Sequence, residues 1–72
     1  MTSYTPATAD DYLREMTDPE LVAAIGGAET AEAARAALVA EVEASFGAAP
    51  SDKALADVIE CMRKHEVADL AA

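Results

Sequence analysis

The stretch that decides the fold is TAEAARAALVAEVEASFG, residues 30–47. Alanine and glutamate, which are strong helix formers, dominate it; Thr30 is a residue type that caps helix N-termini and Gly47 one that ends helices. On a wheel of about 100° per residue, the larger apolar side chains Leu38, Val42 and Phe46 fall on one side. The stretch therefore predicts a long helix with one apolar face.

Three further helices follow from similar capping signals. The first should begin after Thr8, the second after Thr17 or Asp18 and end at a glycine pair, and the fourth should begin after Ser51 and run to about Asp69. Alternating apolar and polar residues, the signal of a β-strand, are missing from the sequence. The chain is predicted to be all-α, a small bundle of three to four helices.

Length and composition predict one small domain of marginal stability. Residues 1–7 are expected to form a flexible N-terminal arm and residues 8–72 a single helical domain. A chain of 72 residues buries only about 60% of its unfolded surface, and a single cysteine cannot form an intramolecular disulfide. Association is the remaining means of stabilisation, so a homodimer is favoured over a monomer. Neither a secretory signal nor an apolar run of membrane-spanning length is recognisable, which predicts a cytoplasmic protein with no membrane contact.

Two charged residues occupy apolar helix faces and predict how the last two helices pair. Arg35 falls within the apolar face of the third helix, and Glu66 falls near the centre of the apolar face of the fourth. A five-residue loop should make these helices antiparallel neighbours, which places Val42 opposite Ile59 and Arg35 opposite Glu66. The sequence thus predicts a C-terminal antiparallel helical hairpin whose register is fixed by a partly buried Arg35–Glu66 ion pair.

Charge narrows the choice of partners. Fourteen acidic and five basic residues give a net charge of −9, and nine of the acids but only two of the bases lie in residues 1–49. Direct contact with nucleic-acid phosphates or an anionic membrane needs a basic surface, so both are disfavoured. A partner protein with a basic surface suits this charge.

Cys61 and His65 are the one place where metal chemistry is conceivable. They lie four residues apart, and Asp57 and Asp69 extend the same spacing into a ladder of groups that bind zinc or copper. Helix rotation carries this ladder around the helix by about 120°, so one ion could reach only two or three of its members. A Cys/His pair also lacks the oxyanion hole and cleft that nucleophilic catalysis requires. We interpret the pair as the rim of the hairpin and predict no metal, no cofactor and no enzymatic activity.

Small residues form a ridge on the far side of the third helix, at Ala33, Ala36, Ala37, Ala40 and Ala44. Solvated helix faces usually carry more Glu, Lys and Arg, and alanine allows helices to pack closely. The ridge is either a surface that reflects helix propensity or a packing seam against the first helix, the second helix or another chain.

The sequence therefore predicts a non-enzymatic acidic helical module for protein–protein interaction, such as a small regulator, adaptor or accessory subunit. One alternative is an acidic nucleic-acid mimic, a phage-type inhibitor that blocks a basic DNA- or RNA-binding protein. Another is a metal-binding protein that uses Cys61 and His65.

Overall fold

Four helices make up the computed structural model, which describes residues 7–67 and Leu70. They are α1 (Ala9–Arg14), α2 (Asp18–Ile25), α3 (Ala31–Phe46) and α4 (Asp52–Lys64). The prediction of an all-α bundle is confirmed. Residues 1–6 of the predicted arm lie outside the described residues, and Ala7 is exposed. Within the described part of the chain, none of the helices is long and apolar enough to cross a membrane.

Local hydrogen bonds explain where each helix begins. The hydroxyls of Thr8, Thr30 and Ser51 each accept a hydrogen bond from a backbone N–H three residues later, which satisfies an amide with no partner in the first turn. Thr17 forms a full capping box with Glu20, since each side chain accepts from the other's backbone N–H. The predicted caps at these positions are confirmed.

The core lies where α3 meets the other three helices. Helix α3 packs against α1, α2 and α4, and its inward face contributes Ala34, Leu38 and Val42, all fully buried. Larger buried side chains from the other elements complete this core: Leu13, Leu21, Ile25, Leu55, Val58, Ile59, Met62 and Leu70. Helix α3 is therefore the central helix of this packing.

The predicted Arg35–Glu66 ion pair is wrong. Arg35 instead forms an ion pair with Asp52, in the first turn of α4, and Glu66 is exposed. Asp52 and Glu66 are fourteen residues apart, so a continuous helix at about 1.5 Å per residue would separate them by about 21 Å. The start of α4 is therefore within side-chain reach of the second turn of α3, which does not fit the predicted antiparallel register.

Polar contacts with α1 help to hold α4 in this position. The Asp10 carboxylate accepts hydrogen bonds from the Ser51 backbone N–H at 2.6 Å and from the Ser51 hydroxyl at 2.8 Å. Arg14, one turn further along α1, binds Asp57 at 3.2 Å. Helix α4 is thus tied to α1 by two polar contacts, in addition to its packing on α3.

Helix α4 also ends earlier than predicted, at Lys64 rather than near Asp69. Glu66 adopts a left-handed backbone conformation with φ of 56°, and the Val67 N–H turns back to the Met62 carbonyl at 2.8 Å. Asp69 lies outside the described residues. The sequence has no glycine or proline at this point, so the apolar spacing of Met62 and Leu70 resembled a continuous helix.

Candidate functional site

The alanine ridge of α3 forms most of one exposed helix face. Ala33, Ala36, Ala40 and Ala44 are exposed and Ala37 is half-buried, although the core-facing side chains of the same helix are fully buried. An internal seam against α1 or α2 would have buried these four side chains. Of the predicted alternatives, a bare surface and a seam with another chain are compatible with their exposure.

Carboxylates border this ridge on both sides. With about 100° of rotation per residue, exposed Glu32 and Glu43 lie along one edge and half-buried Glu41 lies along the other. The Glu41 carboxylate accepts a hydrogen bond from the Ser45 hydroxyl at 2.7 Å, which orients it along the helix. The face therefore combines a small apolar centre with a negative border.

A groove continues from the Glu41 side of the ridge towards α1 and α2. It has a volume of about 250 Å³, and Tyr12, Met16, Ala23 and Ala24 supply its apolar walls. The Tyr12 ring packs against Phe46, with 5.8 Å between ring centroids and an angle of 43° between ring planes. This aromatic contact fixes the α1 wall of the groove against the end of α3.

Two carboxyl groups have perturbed pKa values, and both act as structural caps. The backbone N–H and then the hydroxyl of Ser51 lower the pKa of Asp10, because they donate hydrogen bonds to its charged form. The pKa of Glu20 is lowered in the same way by the backbone N–H and then the hydroxyl of Thr17. These shifts are explained by hydrogen bonds that position helices, so they do not identify a general acid or base.

The structure brings Cys61 and His65 to the rim of a cleft but does not complete the predicted ladder. Both side chains are exposed, and both line a cleft between α1, α2 and α4. Asp57 is engaged by Arg14, and Asp69 lies outside the described residues. Among residues 7–67 and Leu70, no three His, Cys, Asp or Glu side chains are placed to hold one metal ion.

Val22 belongs to a surface that the sequence did not reveal. The apolar spacing of α2 predicts that Val22 shares one helix face with Leu21 and Ile25, which are buried. Val22 is instead 45% exposed, and in the described part of the chain it is the only large apolar side chain exposed in this way. It lines a broad, shallow groove with Pro19 and Val67. Nothing in the sequence of α2 distinguishes Val22 from its buried neighbours, since an eight-residue helix leaves the direction of its apolar face poorly defined.

No protein-family model, curated protein or solved structure matches this chain.

Proposed function

We propose that this chain is a non-enzymatic helical module that docks onto a partner protein through the alanine ridge of α3. The observation that carries the proposal is the exposure of Ala33, Ala36, Ala40 and Ala44 on α3, a helix whose other side packs against all three other helices. A ligand that covers this face would contact the most extensively packed helix of the bundle. The protein would then serve a larger assembly as a regulator, adaptor or accessory subunit.

The ridge is suited to close contact with another helix. Helix axes usually approach to about 8–10 Å, at a distance set by the side chains between them, and alanine permits the near end of that range. Burying five methyl groups contributes about 4 kcal/mol at about 0.8 kcal/mol each, whereas association itself costs about 4–15 kcal/mol. The alanines alone cannot hold a stable complex, so the groove beside them and the charged border must contribute.

The charged border favours a basic partner over a second copy of the chain. Glu32 and Glu43 on one edge and Glu41 on the other would attract lysine and arginine on a partner helix. A homodimer through the same face would bring these carboxylates together, and each copy carries a net charge of −9. We therefore expect binding to a basic partner to weaken as salt is added, whereas homodimerisation would strengthen because salt screens the repulsion.

The decisive experiment replaces one ridge alanine with a charged residue. The change Ala40→Glu places a long carboxylate at the centre of the ridge, and Ala56→Glu is the matched control at an exposed position of α4. Each purified variant would be used to recover a partner from lysate of the source cells. Native mass measurement would give the stoichiometry of the complex, and light scattering on a size-exclusion column would give the oligomeric state of the free protein.

We expect Ala40→Glu to lose the partner and Ala56→Glu to retain it, with similar helicity and melting temperature for both. Equal recovery by the two variants would contradict docking through the ridge. A nucleic-acid mimic would depend on its carboxylates alone, so Ala40→Glu would bind its basic target at least as well as the unmodified chain does. That result, combined with a steep loss of binding in salt, would favour the mimic.

A further inference from the structure

An apolar cleft opens between α1, α2 and α4, on a different part of the molecule from the exposed alanines. Leu13, Leu21, Val58 and Met62 line its interior, and all four belong to the buried core. The cleft has a volume of about 180 Å³. An apolar cavity of roughly 150 Å³ accommodates benzene, so this cleft is large enough for one aromatic or branched side chain. Binding sites for whole small-molecule ligands are larger, at roughly 300–1,000 Å³.

The shallow groove that contains Val22 is continuous with this cleft. Asp18, His65 and Val67 line both depressions. The groove is wide, at about 630 Å³, and Val22 and Pro19 give it an apolar wall. A deep apolar cleft that opens into a shallow apolar groove is the arrangement in which one anchor side chain of a partner is buried and its neighbours lie across the surface.

The charges around these two depressions favour a cationic ligand. Asp18 lies where the cleft and the groove meet, and Glu66 lines the groove. Arg14 is the cation at the cleft, and its guanidinium is already engaged by Asp57 at 3.2 Å. A positive side chain next to the anchor would therefore meet Asp18 and Glu66 without facing an unpaired arginine.

We propose that the cleft receives one large apolar side chain from a basic segment of a partner protein, and that Asp18 and Glu66 bind the cationic residue beside it. This proposal rests on the proposed docking function and adds a second contact, with a defined chemistry. A second copy of this acidic chain is a poor ligand here, because it would add like charge to Asp18 and Glu66.

Short capped peptides can test the cleft before any partner is known. The probe is N-acetyl-Phe-Arg-amide, titrated into the isotope-labelled full chain while backbone and methyl NMR signals are recorded. The first comparison peptide, N-acetyl-Ala-Arg-amide, lacks the anchor, and the second, N-acetyl-Phe-Glu-amide, reverses the charge. We expect shifts centred on Leu21 and Met62 with the probe, and affinity lower by about tenfold or more without the phenyl ring. The change Asp18→Asn should lower the affinity for the probe by about 1.5- to 5-fold, which is the usual effect of losing an exposed ion pair.

The single cysteine provides a way to block the cleft. Cys61 is exposed on the rim, so alkylation with a bulky pyrene maleimide would fill the opening. The control is the double variant Cys61→Ser/Ala56→Cys, which carries the same label on an exposed position elsewhere on α4. We expect the first label to abolish the peptide-induced shifts and the second to leave them unchanged.

The proposal is overturned if the probe gives no localised shifts, or if the peptide without the phenyl ring binds as well as the probe. Persistence of the peptide-induced shifts after Cys61 is labelled would also overturn it. Shifts at the cleft that grow with protein concentration in the absence of peptide would overturn it as well, since they would identify a second copy of the chain as the ligand. Ala40→Glu should leave probe binding unchanged. If the probe does not bind but Ala40→Glu loses the partner as expected, the proposal for the cleft alone is rejected. If the probe binds but Ala40→Glu retains the partner, the proposal for the alanine ridge alone is rejected.

Discussion

The backbone at the end of α4 predicts that Glu66→Gly will stabilise the protein. The Val67 N–H donates to the Met62 carbonyl at 2.8 Å and the Glu66 N–H donates to the Arg63 carbonyl at 3.2 Å. These two hydrogen bonds define a Schellman motif, in which the residue after the C-cap takes a left-handed conformation. Glycine is the usual residue there, but this chain has glutamate, with φ of 56°.

The size of the effect follows from two opposing contributions. A left-handed conformation costs an L-residue about 1.5 kcal/mol, and glycine removes that cost because it has no Cβ. Glycine also makes the unfolded chain more flexible, which offsets about 0.7 kcal/mol of the gain. Removing a carboxylate from the negative end of a helix adds about 0.3 kcal/mol for an exposed site. The net expectation is a gain of about 1 kcal/mol in the free energy of unfolding, or about 4–8 °C in melting temperature for a domain of this size.

Chemical denaturation and thermal melts monitored by circular dichroism would measure this gain. Glu66→Gln is the matched control, because it removes the charge and keeps the Cβ, and it should stabilise by only about 0.3 kcal/mol. If Glu66→Gly were no more stable than Glu66→Gln, the left-handed conformation would not be strained and the reasoning would fail. The glycine variant should also bind the cationic peptide probe less tightly, since it removes one of the two acids that face the proposed ligand.

Three further outcomes test other contacts of the fold. Leu38→Ala, at a fully buried position of α3, should destabilise by about 2–5 kcal/mol in urea denaturation, and a loss below about 1 kcal/mol would show that the core can close around the cavity. Asp52→Asn should cost less than about 1 kcal/mol, because Arg35 is partly exposed and Asp52 is almost fully exposed, and a larger loss would indicate that the pair is shielded from water. Asp10→Asn should flatten the acid limb of the stability profile measured by denaturation across pH. The pKa of Asp10 is lowered in the folded protein, so the stability that its carboxylate contributes is present above the unfolded-state pKa of about 3.8 and is lost as the pH falls through the folded-state pKa. An acid limb that is unchanged in the variant would refute the stabilising hydrogen bonds from Ser51 to Asp10.

Prediction from the sequence worked for features that depend on residues close together in the chain. The caps at Thr8, Thr17, Thr30 and Ser51 each join groups three residues apart, so a short stretch contains all the information needed to place them. The buried face of α3 was predictable for a related reason, since a helix of sixteen residues repeats its apolar pattern several times. Helix α2 has only eight residues, and there the pattern misplaced Val22.

The candidate surfaces were predictable only in part. The alanine ridge is visible in the sequence because one helix carries all five of its members. The cleft and the Val22 groove bring together side chains from α1, α2, α4 and the segment that follows α4, so no single stretch of sequence contains them. The sequence also did not determine whether the ridge is exposed, because its exposure depends on where the other three helices pack.

The sequence by itself determined where the four helices begin, their N-caps and the acidic charge, since helix propensity, capping and composition act through neighbouring residues or need no structure at all. Only the tertiary structure decided that Arg35 pairs with Asp52, that α4 ends at Lys64 and that Val22 faces outward. An apolar helix face specifies that it must be buried, but it does not specify the register of the helix that covers it. That register is set by the sum of many weak contacts between distant residues, among them the Asp10–Ser51 link that holds α4 against α1.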